Sequence, residues 1–153
     1  METRKIKTLF VEDEALLRTL FEDSLSIEKE DYPGYSFKLE TVSDYGAAVK
    51  RIKDGEIPDI LILDLRLPRG ESESGEEIPE KEYGFEILRL VKADQKFAKM
   101  PVIIFTNLAD RETEIKSYEL GADRFLIKSK TVPHELFAAV MEVVREAIDK
   151  KPR

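Results

Sequence analysis

Cysteine is absent from this 153-residue chain. That excludes disulfide frameworks, thiolate zinc sites and cysteine nucleophiles. Histidine occurs once, as His134 beside Pro133. At the start of the last helical segment it reads as a solvated first-turn side chain and not as a phosphohistidine relay. Long apolar runs are missing as well. The longest is Leu136 to Met141, far short of the ~20 residues that span a bilayer. The first strand-to-helix turn has no glycine, so a dinucleotide or P-loop site has no support. Arg4, Lys5 and Lys7 are followed only by Leu9, Phe10 and Val11 before two acids, which is not a signal peptide. A basic excess is lacking too: 32 acids against 25 bases leave a net charge of −7. That balance weighs against a nucleic-acid backbone or an anionic membrane as the main partner. The expectation is a soluble cytoplasmic protein.

What is present fits one domain over residues 1–150, with a polar tail at 151–153. Hydrophobic residues make up 42% of the chain, enough for a globular core. Charged residues reach 37%, above the usual ~25%. Short β-leaning runs alternate with helical periodicity. The predicted strands are Lys7–Val11, Ser36–Val42, Ile60–Leu63, Val102–Phe105 and Phe125–Ile127. Between and after them lie predicted helices at Ala15–Ser26, Asp44–Lys53, Phe85–Lys92, Asp110–Leu120 and from Val132 onward. Pro58 and Pro68 bracket the third strand and exclude a helix there. Strands one, three, four and five lack polar alternation, so both of their faces should be covered. That is the mark of a parallel sheet with helices on both sides. The expected fold is α/β, a doubly wound, flavodoxin-like (βα)5 arrangement with strand order 2-1-3-4-5. One segment breaks the rhythm. Eighteen residues, Leu65 to Glu82, separate the third strand from its helix, where roughly 2–6 are usual. Its 69–82 stretch holds six glutamates, two glycines and two serines, which reads as a mobile acidic insertion.

In open α/β sheets ligands bind outside the carboxyl ends of the strands. Those ends carry Glu12 and Asp13, then Asp64, Thr106 and Lys128. Singly, each has an ordinary explanation: a helix cap, a loop start, a strand end, a surface lysine. The strand order places them in one shallow cup. Three carboxylates about 4 Å apart, at an effective dielectric near 20, repel by about 4 kcal/mol per pair. One lysine does not offset that, so either the carboxyl pKa values rise or a hard cation binds. All-oxygen ligands suit Mg2+, which prefers few carboxylates plus phosphate oxygens. Asp64 then reads as a nucleophile toward a phosphoryl group. Asp13, Asp64 and, more indirectly, Glu12 hold the ion, Lys128 supplies positive charge, and the Thr106 hydroxyl donates to a phosphoryl oxygen.

This set of residues resembles the receiver domain of two-component response regulators. Leu9-Phe10-Val11-Glu12-Asp13 is similar to its first strand. Asp64-Leu65-Arg66-Leu67-Pro68 is similar to its phosphoacceptor motif, with leucine where methionine is common. Pro101-Val102-Ile103-Ile104-Phe105-Thr106 matches the fourth strand with its hydroxyl switch, and Gly121 to Lys128 the fifth. The resemblance implies Asp64 as acceptor, Thr106 and Phe125 as switch residues, and the Arg66 carbonyl as a further metal ligand beside Glu12, Asp13 and Asp64. It also implies a sensor histidine kinase or phosphotransfer protein as donor and a downstream protein as target. A homodimer through helix four, strand five and helix five fits the same picture. The segment Ile115 to Ala122 is most similar to stand-alone receivers, and a chain ending after the fifth helix is expected to act by protein contact alone, not as an enzyme. Two departures stand out. Ser129 replaces the usual cis-proline, and Asn107 follows Thr106 where a smaller residue is common. If Asn107 or the insertion blocks the site, the alternative is a pseudo-receiver, a protein-interaction module that is never phosphorylated. An aspartyl-phosphate hydrolase has no obvious general base beyond Glu12.

Overall fold

The computed structural model describes residues 3–70 and 80–149. Five strands, β1 (Arg4–Val11), β2 (Tyr35–Val42), β3 (Ile60–Leu63), β4 (Val102–Thr106) and β5 (Arg124–Ile127), form one sheet in the order β2-β1-β3-β4-β5. Every neighbouring pair is parallel. Helices α1 (Ala15–Glu28), α2 (Tyr45–Asp54), α3 (Tyr83–Ala93), α4 (Arg111–Glu119) and α5 (Pro133–Asp149) connect and flank the strands. This is the doubly wound, flavodoxin-like fold that the sequence predicts.

The period of two along each central strand divides the core into two layers. Leu9, Val11, Leu61, Leu63, Val102 and Ile104 join Ile52, Ile87, Leu88 and Val91 in the layer beneath α2 and α3. Ile6, Phe10, Ile60, Ile62, Ile103 and Phe105 join Phe21, Leu25, Leu136, Phe137 and Val140 in the layer beneath α1 and α5. Both faces of these strands are apolar because both are covered, which is why no polar alternation is visible in their sequences. β5 is the exception. It was expected to be covered on both faces, but it is an edge strand and all four of its residues are only half-buried.

Local chemistry sets the ends of the elements. The Asp44 carboxylate caps α2 by accepting from Ala47 N–H (2.7 Å), and Asp110 caps α4 by accepting from Thr113 N–H (3.1 Å). α3 starts two residues earlier than its periodicity predicts, and its Gly84 lies directly on the β3 loop. Gly84 N–H donates to Leu65 O (2.9 Å), and a Cβ there would fall 2.3 Å from Asp64 O and 2.3 Å from Leu65 Cα. β1 begins at Arg4, not Lys7, because the exposed Arg4 and Lys5 still pair with Tyr35 and Ser36 on β2. Lys128–Lys130, including Ser129, forms a short 3-10 turn, and no described peptide bond is cis. Most of the acidic insertion, 71–79, lies outside the described residues, as does the tail. Among the described residues no helix is long and apolar enough to cross a membrane.

Candidate functional site

Register brings the site together. Val11 pairs with Leu63 across β1 and β3, so the next residues, Glu12 and Asp64, leave the sheet side by side. The ladder continues one step beyond the strands: Glu12 N–H donates to Val42 O (2.9 Å) and Asp64 N–H to Val11 O (3.1 Å). Thr106 closes β4 opposite Ile127, and Lys128 is the next residue along.

Lys128 is the hub. Its Nζ lies 2.6 Å from Asp64 Oδ2, 2.9 Å from Glu12 Oε2 and 3.0 Å from Glu14 Oε2. The three central side chains are out of solvent, at 0% exposure for Glu12, 4% for Asp64 and 7% for Lys128. The backbone adds donors. Glu14 N–H reaches Glu12 Oε2 (3.2 Å) and Arg66 N–H reaches Asp64 Oδ1 (3.3 Å). Thr106 Oγ1 accepts from Leu108 N–H (3.2 Å), and its hydroxyl hydrogen-bonds to the Asp64 carboxylate.

Burial governs the protonation equilibria. It pushes the Glu12 carboxyl up to about 7, with the Asp64 charge adding to the rise and Lys128 opposing it. Burial also raises the Asp64 carboxyl from its ordinary value, against the pull of Lys128. Lys128 is disfavoured as a cation by its own burial, but the charges of Asp64 and Glu12 outweigh this and hold it above its ordinary value. The cluster is therefore a fixed ammonium with two carboxyls that are poorly solvated as anions.

One feature of this cluster fits a further cation. Glu12 Oε1 is fully buried and receives no hydrogen bond, although it lies 2.8 Å from Lys128 Nζ. One ammonium shared among Glu12, Glu14 and Asp64 leaves the buried carboxylates under-compensated in a low-dielectric site. Carboxylate oxygens of Glu12, Asp13 and Asp64 all lie within 4.8 Å of one another. This all-oxygen donor set suits a hard divalent ion such as Mg2+. The acids open onto a pocket of about 240 Å3 lined by Asp13, Glu14, Asp64, Arg66, Thr106 and Lys128 among others.

Six of the residues singled out in the sequence thus converge: Glu12, Asp13, Asp64, Arg66, Thr106 and Lys128. Phe125 lies apart on the edge strand, half-buried, with its N–H donating to Tyr118 Oη on α4 (3.1 Å). Asn107 is exposed on the pocket rim. His134 is exposed as expected, but its Nδ1 is paired with Glu28 of α1. Sequence reasoning missed Glu14. Placed at the N-cap position of α1 it reads as a cap, yet its side chain caps nothing and turns to Lys128. A glutamate where Ser, Thr, Asp or Asn are the good caps was the available signal. Glu80, which also lines the pocket, had no signal beyond lying in the acidic insertion.

A family model for the response regulator receiver domain matches residues 8–141. The chain belongs to this family. The receiver is 31% identical over 139 residues to the transcriptional regulatory protein GltR of Pseudomonas aeruginosa, covering 91% of this chain and 49% of that protein. It is 27% identical over 139 residues to the phosphate regulon transcriptional regulatory protein PhoB of Escherichia coli, covering 91% and 52%. This chain spans about half the length of the curated relatives it matches. Among solved structures, it aligns with a CheY-like receiver domain protein from Methanospirillum hungatei at a TM-score of 0.70, with 21% identity and coverage of 95% and 98%. The receiver domain of a sensor histidine kinase from Pseudomonas aeruginosa, with a magnesium ion coordinated in its active-site cleft, aligns at 0.68, with 20% identity and coverage of 92% and 98%. These structural likenesses establish the shared fold.

Proposed function

We propose that this receiver is a cytoplasmic phosphorylation switch in which Asp64 accepts a phosphoryl group from a sensor histidine kinase or phosphotransfer protein, with Mg2+ in the acidic pocket. The observation that carries this reading is the buried Asp64 carboxylate, 2.6 Å from a buried ammonium and opening onto a pocket whose acids fit a cation. An Asp64 oxygen forms the new P–O bond as the donor's P–N bond breaks. The bonding pair leaves on the imidazole nitrogen, and because the other ring nitrogen carries a proton the donor returns to neutral histidine. Lys128 lies beside the accepting carboxylate, where its charge meets the added negative charge. The Thr106 hydroxyl, hydrogen-bonded to Asp64 before transfer, turns to donate to a phosphoryl oxygen. Glu12, Asp13, Asp64 and the Arg66 carbonyl would hold the ion, which when bound supplies further positive charge to the phosphoryl oxygens.

Two exposed apolar surfaces support the signalling side of the reading. Leu16 and Leu20 on α1, 69% and 39% exposed, follow Glu14 on the pocket rim and suit a protein donor that docks there. Ile115 and Tyr118 on α4, both 45% exposed, suit an output contact with a downstream protein or a second copy through α4, β5 and α5. Tyr118 also binds the Phe125 backbone. A rearrangement that starts at Thr106 and moves Phe125 would therefore reach this surface. The rival reading, a module that is never phosphorylated, needs a site blocked by Asn107 or the insertion; among the described residues Asn107 is exposed at the pocket rim and does not close it.

The test is incubation with Mg2+ and acetyl phosphate, read by intact mass. One added phosphoryl group is expected, absent in Asp64→Asn and absent without the metal. An unchanged mass, or equal labelling of Asp64→Asn, refutes the assignment.

A further inference from the structure

The pocket lining holds four carboxylates, Asp13, Glu14, Asp64 and Glu80, against two cations, Arg66 and Lys128. Three of the four acids have a clear place in the site. Asp13 and Asp64 belong to the cation-fitting cluster, and Glu14 is paired with Lys128. Glu80 belongs to neither arrangement. Among the described residues no ion pair compensates it. It does not come from a strand end but from the C-terminal foot of the acidic insertion, in the 3-10 turn that leads into α3.

Its position is nonetheless anchored. The Glu80 carbonyl accepts from the N–H of buried Leu67 (3.4 Å). Two residues on, Glu82 is ion-paired with Lys116 of α4 (3.2 Å). The foot of the insertion is thus tied on one side to the β3 loop and on the other to α4, and Glu80 is held at the pocket mouth. A negative charge fixed there acts on whatever enters, because a cleft with low-dielectric walls focuses its field.

We propose that Glu80 is a specificity-determining residue that selects phosphodonors by charge, hindering small dianionic donors and so favouring a phosphohistidine delivered by a docked protein. The proposal rests on the reading of Asp64 as acceptor. A free dianion must pass Glu80 without help. A protein donor has the apolar face of α1 at Leu16 and Leu20 to offset the same repulsion. With acetyl phosphate, an Asp64 oxygen forms the P–O bond while the donor's P–O bond breaks, and acetate leaves with the bonding pair. With phosphoramidate the P–N bond breaks and ammonia leaves after taking up a proton. At neutral pH the first donor is a dianion and the second a monoanion, so their ratio reports charge selection.

The experiment compares both donors on wild type, Glu80→Gln, Glu80→Lys and the distant control Glu30→Gln. Glu80→Gln should raise the rate with acetyl phosphate roughly three- to tenfold, Glu80→Lys should raise it further, and both effects should fade in high salt. The rate with phosphoramidate should change by less than about twofold, and Glu30→Gln should match wild type. Mg2+ titration followed by tyrosine fluorescence should give the same affinity in Glu80→Gln as in wild type. If wild type is labelled but the ratio of the two donors is unchanged in the variants, charge selection by Glu80 is refuted and Asp64 remains the acceptor. If Glu80→Gln binds Mg2+ far more weakly, Glu80 is a metal ligand and the proposal is overturned. If neither donor labels wild type or variants, the acceptor reading and this inference fall together.

Discussion

Replacing Lys128 by methionine tests the charge cluster most directly. Methionine is unbranched and apolar and fills a comparable volume. The change removes an ammonium that lies 2.6 Å from Asp64 and 2.8 Å from Glu12, leaving two buried carboxyls facing each other. At an effective dielectric near 20, each lost contact is worth about 6 kcal/mol before desolvation. Removing the buried lysine also removes its own desolvation penalty, so the net loss is about 3–5 kcal/mol. For a chain of this length that corresponds to a melting temperature lower by about 6–20 °C. The loss must depend on pH. Glu12 already titrates at about 7, and without the ammonium both carboxyls hold their protons to higher pH. Protonated carboxyls no longer need a counter-charge. The deficit should therefore grow as pH rises from 5.5 to 8. Mg2+ at pH 8 should raise the variant's melting temperature more than the wild type's, because a cation takes over part of the missing charge. The assay is thermal denaturation at both pH values with and without the ion. An equal deficit at both pH values, or an equal Mg2+ increment in both proteins, would refute the view that this cluster is held by charge balance.

Two further predictions concern the same end of the sheet. Gly84→Ala should destabilise by about 3 kcal/mol or more, because the new Cβ meets backbone at 2.3 Å that cannot turn aside; Gly34→Ala, which meets nothing within 4 Å, serves as the unaffected reference in the same denaturant titration. The metal-free wild type should lose stability as pH rises through the Glu12 value. The folded carboxyl titrates at about 7 and the unfolded one at 4.5, so in that window the folded state binds more protons and rising pH favours unfolding, by about 3 kcal/mol from Glu12 once both forms are ionised. Glu12→Gln should flatten that slope, and a wild-type curve parallel to the variant's would show that Glu12 is not the group responsible.

The fold was legible because its chemistry is local and repeated. Ile60–Leu63 and Val102–Thr106 are apolar at every position up to a polar end, as strands covered on two faces read. The convergence of Glu12, Asp64, Thr106 and Lys128 was legible for the same reason, since in-register parallel strands deliver their terminal residues to one edge. Three things were not. β5 looks like a buried strand because Phe125, Leu126 and Ile127 are apolar, yet edge position follows from topology and leaves them half-exposed. Glu14 looked like a cap because sequence shows its distance along the chain from α1 but not its distance in space from Lys128, 114 residues away. The place of Glu80 depends on where a long insertion returns to the body, and composition carries no information on that.

The site's energetics also explain why one lysine suffices in a cup with a surplus of acid. In the sequence the three carboxylates count as equal charges in need of a cation. In the folded chain they are not equal. Asp13 is exposed and screened by solvent, while Glu12 and Asp64 are buried and raised. A carboxyl titrating at about 7 is only partly ionised near neutral pH, so the cluster has three ways to relieve its burial: a proton on Glu12, a divalent ion at its carboxylate, or both in exchange. Proton and ion then compete for the same carboxylate. Ion binding near neutral pH must release protons, and apparent affinity for the ion must rise with pH until Glu12 is fully ionised. If Asp64 is the acceptor proposed above, this competition ties its readiness to the same buried carboxyls that set the stability of the sheet's carboxyl edge.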